Sequence, residues 1–129
     1  MDSNPYSFVN LGGKRFAVAD AGANALFSVN AANNAISTLA VFPDRVVPVD
    51  ARAQAAFGPP PQMPAQAVPN SVAVGPDGAL YVGQLLGFPF TPGQSNVYRV
   101  VPGQAPTVYA SGFSSIIDIA FGPDGNLYV

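Results

Sequence analysis

Val72–Val82 reads VAVGPDGALYV and Ile119–Val129 reads IAFGPDGNLYV, identical at eight of eleven positions and 47 residues apart. An echo at a fixed period marks a repeat architecture, in which each unit buries its apolar face against the next. A more diverged copy opens the chain. Pro5-Tyr6-Ser7 aligns with Pro69-Asn70-Ser71, and Phe16-Ala17-Val18 with Leu80-Tyr81-Val82, both at an offset of 64. Leu26–Val29 then parallels Val97–Val100, and Ile36–Ala40 parallels Pro106–Ala110.

Within one unit the pattern predicts four short strands, near Ser71–Gly75, Leu80–Gln84, Asn96–Val101 and Ala105–Ser111. Each is rich in β-branched and aromatic residues and bounded by turn residues. Gly75-Pro76-Asp77-Gly78 is a tight hairpin turn: proline presets φ, aspartate suits the next position, and glycine takes the left-handed conformation that closes it. Four antiparallel strands per unit of about 45 residues describe a β-propeller blade. The expected fold is therefore all-β: a β-propeller fragment of about two and a half four-stranded antiparallel blades. Blade 1 is placed at 4–42, an inter-blade insertion at 43–68, blade 2 at 69–113, and the first hairpin of blade 3 at 114–129. The strand count does not close a ring. The expectation is a part of a longer protein, with a five-bladed ring made from two copies as the other solution. Open blade edges would favour self-association.

Composition narrows the function. The chain has 129 residues with no Cys, His, Trp or Glu, and only 9% are charged. A Ser-His-Asp triad, a Cys-His pair, a zinc site of Cys and His, and paired glutamates cannot be built from it. This leans against an enzyme. The five basic residues, Lys14, Arg15, Arg45, Arg52 and Arg99, form no patch for a phosphate backbone, so no nucleic-acid partner is expected. No apolar run approaches the roughly 20 residues of a membrane helix, so no membrane partner is expected either.

Ala17–Leu26 (AVADAGANAL) resembles the core of an NHL repeat. More specifically, Ser37–Pro43 (STLAVFP), Ser71–Phe90 (SVAVGPDGALYVGQLLGFPF), Asn96–Gly103 (NVYRVVPG) and Thr107–Val129 are similar to the ScyD/ScyE family of NHL-like propellers. The resemblance implies a propeller fold and a binding or scaffold role without an assigned reaction. It also implies export, although Met1–Tyr6 shows neither the basic nor the apolar region of a leader.

In a meander the connections alternate between two ends. One end carries the short turns. The other carries the insertion 43–68 and the loop Leu85–Ser95 (LLGFPFTPGQS), and loops on a rigid scaffold are where binding concentrates. The candidate ligand-binding residues are Leu86, Phe88 and Phe90 on an uncharged lip, together with Asn70, Asp20 and Asn24 at strand ends on the same side. The expected partner is a small molecule or a protein. The lip can instead fold down over its own sheet. Asp50 is the expected N-cap of a short helix through Phe57, stopped by Gly58-Pro59-Pro60-Pro61, with the proline run a stiff linker. Ser7, Ser71 and Asp118 fall at equivalent positions expected to ring a central channel. Asp118 and Asn70 are the metal candidates, through oxygen donors suited to Ca²⁺ or Mg²⁺. That arrangement defines the alternative function, a metal-dependent SMP-30/gluconolactonase-like propeller hydrolase or lyase. The same groups serve equally as caps bonding backbone amides. On the first reading no cofactor is expected. Asp77 and Asp124 are read as turn formers, and Tyr81 and Tyr128 as packing between units.

Overall fold

The computed structural model describes residues 2–58 and 60–129. β1 (Pro5–Gly12), β2 (Arg15–Asp20), β3 (Ala25–Asn30) and β4 (Ala35–Val41) pair in chain order as one antiparallel sheet. β5 (Arg45–Pro48) and β6 (Gln62–Ala65) form a small hairpin with helix α1 (Ala51–Phe57) at its tip. β7 (Pro69–Val74), β8 (Leu80–Gln84), β9 (Ser95–Val100) and β10 (Thr107–Phe113) make the second four-stranded sheet, again in chain order. β11 (Ala120–Phe121) and β12 (Leu127–Tyr128) form a last hairpin. The regular structure is thus almost entirely antiparallel strand, and among the described residues no sheet closes on itself.

The repeated sequence has a local physical cause. The Gly75 amide donates to the Ala79 carbonyl at 2.8 Å and the Gly78 amide to the Gly75 carbonyl at 2.9 Å. Gly78 has φ +77°, which an L side chain seldom adopts. Asp77 accepts from the Ala79 amide through one oxygen and from the Tyr81 hydroxyl through the other. The Tyr81 ring lies against Gly75 so closely that a Cβ there would sit 2.3 Å from its Cε2. In the last hairpin Gly122, Asp124, Gly125 and Tyr128 reproduce every one of these relations, with the Tyr128 hydroxyl 2.9 Å from Asp124. Glycine, aspartate and tyrosine recur together because the aromatic ring closes over the turn and needs both a bare Cα and a carboxylate.

Alternation along the strands gives each sheet two apolar faces. Ala17, Ala19 and Leu26 of the first sheet share one buried cluster with Val72, Leu80, Val82, Tyr98 and Val100 of the second. The opposite face of the second sheet, with Tyr81 and Val97, shares another cluster with Ile116, Ile119, Phe121 and Leu127 of the last segment. The second sheet therefore has a forward face, toward the last hairpin, and a rear face toward the first sheet. The contact between the two large sheets runs through β1, β2 and β7. Both sheets also carry an irregularity at the start of their first strand, between Pro5 and Ser7 and between Pro69 and Ser71, so the two units share a kink as well as a pattern.

The insertion is more ordered than a stiff linker. Arg45 pairs with Ala65 and Val47 with Met63. A two-stranded ribbon leaves each strand one free edge, where prolines such as Pro48 and Pro64 are tolerated. Asp50 caps α1 by accepting from the Ala53 amide at 2.8 Å, and Gly58 ends it in the left-handed conformation at φ +63°. Of the proline run expected to stop the helix, Pro59 lies outside the described residues. Val47 and Ala65 are buried together with Leu86 from the loop that follows β8, which fastens the ribbon to the second sheet.

Candidate functional site

The loops after β2, β4, β8 and β10 meet at one end of the molecule and are laced together there. The amides of Leu85, Leu86 and Gly87 donate in succession to the carbonyls of Val68, Ala67 and Gln66. Thr91 donates through its hydroxyl to the Pro48 carbonyl, and the Arg45 guanidinium donates to the Gln94 carbonyl. The Gly93 amide reaches the Ser114 hydroxyl at 2.8 Å, and the Ser115 amide reaches the Ser95 hydroxyl at 3.0 Å. The loop 85–94 is thereby held by the insertion on one side and by the connector to the last hairpin on the other.

Leu86 is not part of an exposed lip. It is 1% exposed and anchors the loop from beneath, with a left-handed φ of +69° that turns the chain inward. Phe88 and Phe90 are carried outward, at 43% and 55% exposure, with their rings perpendicular and 6.1 Å between centroids. The base of this segment folds down and its tip presents two aromatic rings. An edge-to-face pair held on a bonded loop presents apolar area that is already ordered, which lowers the entropic cost of binding.

The polar candidates serve the framework. Asp20 is buried and accepts from the Ser3 hydroxyl at 2.6 Å and from the amides of Asn4 and Ala23 at 2.7 and 2.9 Å. Burial pushes its carboxyl up, but the bonds from Ser3, Asn4, Ala23 and Gly22 outweigh that and hold it below the usual carboxylate value. Asn24, at φ +51°, accepts from the Val68 amide at 2.8 Å, while its own carbonyl receives the Phe42 amide. It thus joins the first sheet to the end of the insertion. Asn70 sends its side-chain amide to the carbonyls of Ile116 and Ile117 at 2.8 and 3.2 Å, bridging to the last segment. Neither of these two bonds is to Phe88 or Phe90.

Of the residues expected to ring a channel, Ser71 is buried and Asp118 exposed. Ser71 is buried in the junction between the second sheet and the last hairpin, and its hydroxyl lies over Gly83. Asp118 is exposed and accepts from the Ile119 amide at 2.8 Å. Asn70, the other candidate, bonds the carbonyls just before Asp118 through its side-chain nitrogen, while its Oδ1 is buried without a hydrogen-bond partner. Among the described residues no three of His, Cys, Asp and Glu gather closely enough to hold a metal ion. Asp77 and Asp124 are turn formers as read from sequence. Arg99 grips Asp77 through two nitrogens, at 2.9 and 2.7 Å, and this guanidinium is the leading reason its carboxyl lies below the usual value.

Sequence reasoning overlooked the buried polar residues that lock this end. Gln84, Ser95 and Asn96 are almost fully buried. The Gln84 carbonyl oxygen accepts from the Asn96 amide at 3.1 Å, and Ser95 donates to the Leu85 carbonyl at 3.2 Å. Their one signal is position: each sits where a strand meets the loop 85–94, the point at which backbone groups leave the sheet ladder and need side-chain partners.

Replacing Asp20 by Ala strips three donors of their acceptor, and about 2 kcal/mol of stability should go with it. The pH dependence has a definite sign. A carboxylate whose folded pKa is depressed stabilises above its unfolded pKa and loses that contribution as pH falls through the folded value. Urea titrations between neutrality and about pH 3 should therefore show a shallower acid loss in the variant than in the parent. Parallel acid limbs would remove Asp20 from this role.

No protein-family model matches the chain, and no curated protein sequence matches it.

Proposed function

We propose that this chain is a non-enzymatic binding or scaffold module of the β-propeller type, akin to the ScyD/ScyE proteins, with its loop-bearing end as the contact face. The observation that carries the reading is the aromatic pair. Phe88 and Phe90 stand outward on a loop whose base is buried and whose backbone is bonded on both flanks. The successive stacking of repeats through equivalent faces supports the propeller form of the scaffold. The uncharged surroundings favour a neutral, partly apolar small molecule or a protein segment with an apolar anchor.

A fragment library of neutral aromatic compounds, screened by NMR on chain labelled at phenylalanine, tests the reading. Compounds that bind should move the Phe88 and Phe90 resonances together. The double variant Phe88→Ser, Phe90→Ser should bind them about tenfold or more weakly, since each aromatic contact contributes roughly 0.5–1.5 kcal/mol beyond its area. Unchanged affinity in the double variant would reject this face.

A further inference from the structure

The two large sheets touch through their first strands, β1 and β7, and each leaves its fourth strand, β4 or β10, as a free edge. The fourth strand of a four-stranded meander keeps that edge whatever units precede or follow it. A free edge offers unpaired amides and carbonyls to another strand, and folded proteins commonly guard it with charge, proline or bulges. The two edges here are guarded unequally. In β10 the pairing with β9 slips between Val108 and Ala110 and again between Ala110 and Phe113, and Gly112 takes φ +91°. Those breaks leave no regular run longer than Thr107–Val108.

Over most of its length β4 carries no such guard. Ala35–Val41 (AISTLAV) contains no charge and no proline. Ala35, Ile36, Ser37 and Thr38 pair in unbroken register with Asn30, Val29, Ser28 and Phe27, and the one slip comes after them. All four are exposed. The strand is fixed at its far end, where Phe42 enters the core and sends its amide to the Asn24 carbonyl at 2.9 Å. The segment is also compatible with itself. Turned about a two-fold axis at Ser37, it sets Ser37 against Ser37, Ile36 against Thr38 and Ala35 against Leu39. Small hydroxyl residues then meet at the axis, β-branched residues pair on either side, and no like charges face each other. An edge that is regular, uncharged and self-complementary fits a strand of its own sequence.

We infer that two copies of this chain pair antiparallel through β4, about a two-fold axis at Ser37, and join their first sheets into one sheet of eight strands. The contact is isologous: the same edge serves both molecules, so it closes at two copies. A short strand pair buries less than the roughly 1,200 Å² of a stable complex, so the dimer forms and dissociates readily and is read at high protein concentration. It uses neither Phe88 nor Phe90, so it stands or falls without the binding reading.

Sedimentation equilibrium of the parent and three variants tests it. Ser37→Lys and Ser37→Glu each set like charges face to face at the axis, and Val108→Lys places a charge on β10 instead. Ser37 and Val108 are both exposed, so circular dichroism and thermal melts of the dilute variants should match the parent. The parent should dimerise and go no further. Ser37→Lys and Ser37→Glu should each associate at least tenfold more weakly, whereas Val108→Lys should associate as the parent does. An equimolar mixture of Ser37→Lys and Ser37→Glu should give a heterodimer at least as tight as the parent dimer, because opposite charges then meet at the axis. A parent that stays monomeric to its solubility limit overturns the inference. So does a mixture that associates no better than its two components, which would remove Ser37 from the axis. Loss of association in Val108→Lys would place the contact on β10 and overturn it as well.

Discussion

Leu26→Ala should cost about 3–4 kcal/mol, a large share of what a chain of this size has. Leu26 is fully buried in the cluster between the two large sheets. Its neighbours across the ladder are Ala19 on one side and Ala40 on the other. It is the bulky residue in a row of small ones, and no adjacent side chain on its own sheet can lean in to fill the space. Truncation therefore leaves most of the cavity open, the circumstance in which leucine deletions are most costly. Denaturation in urea should show a lower midpoint with little change in slope. Ile36→Ala on the exposed face of the same sheet is the control, with an effect within about 0.5 kcal/mol at concentrations where the chain is monomeric. Equal effects from the two changes would contradict the assignment of faces.

The second large effect is expected at Gly83. A Cβ there would lie 2.3 Å from the Ser71 hydroxyl oxygen and 2.9 Å from Cγ2 of Ile116. Those distances cannot be kept, so Gly83→Ala must push the last segment off the second sheet, at a cost of about 1–3 kcal/mol. The loss should fall on one junction. Hydrogen exchange at Ile119 and Phe121 should speed up well beyond that at Ala17 or Ala19. In a Ser71→Ala background the nearest clash is gone, and Gly83→Ala should then cost measurably less. Strict additivity of the two changes would show that the hydroxyl is not the obstacle.

The repeat made the strands readable. Leu80–Gln84 appears at its expected limits, and Asn96–Val101 shifts by one residue to Ser95–Val100. Strand β10 runs later than expected, at Thr107–Phe113, because the pairing with β9 slips at Ala110 and again before Phe113, and such slips leave no periodic trace in sequence. The hairpin β5–β6 was hidden for another reason. Pro48 and Pro64 interrupt its alternating pattern, and the burial of Val47 and Ala65 with Leu86 is visible only in the folded chain. The candidate site was legible as a location and half legible as residues. Composition pointed to Phe88 and Phe90, but nothing local distinguishes Leu86, two positions earlier, as an anchor. Asp20, Asn24 and Asn70 were found because polar residues at strand ends are conspicuous, and each proved to bind backbone groups whose need arises only in the folded chain.

The turn from Gly75 to Tyr81 holds a bare Cα, a carboxylate and the hydroxyl that bonds it within a span of seven residues. Arg99 adds a distant grip on Asp77 in this copy of the corner. The same residues at Gly122–Tyr128 form the same corner again, so two joints of the molecule share one local geometry.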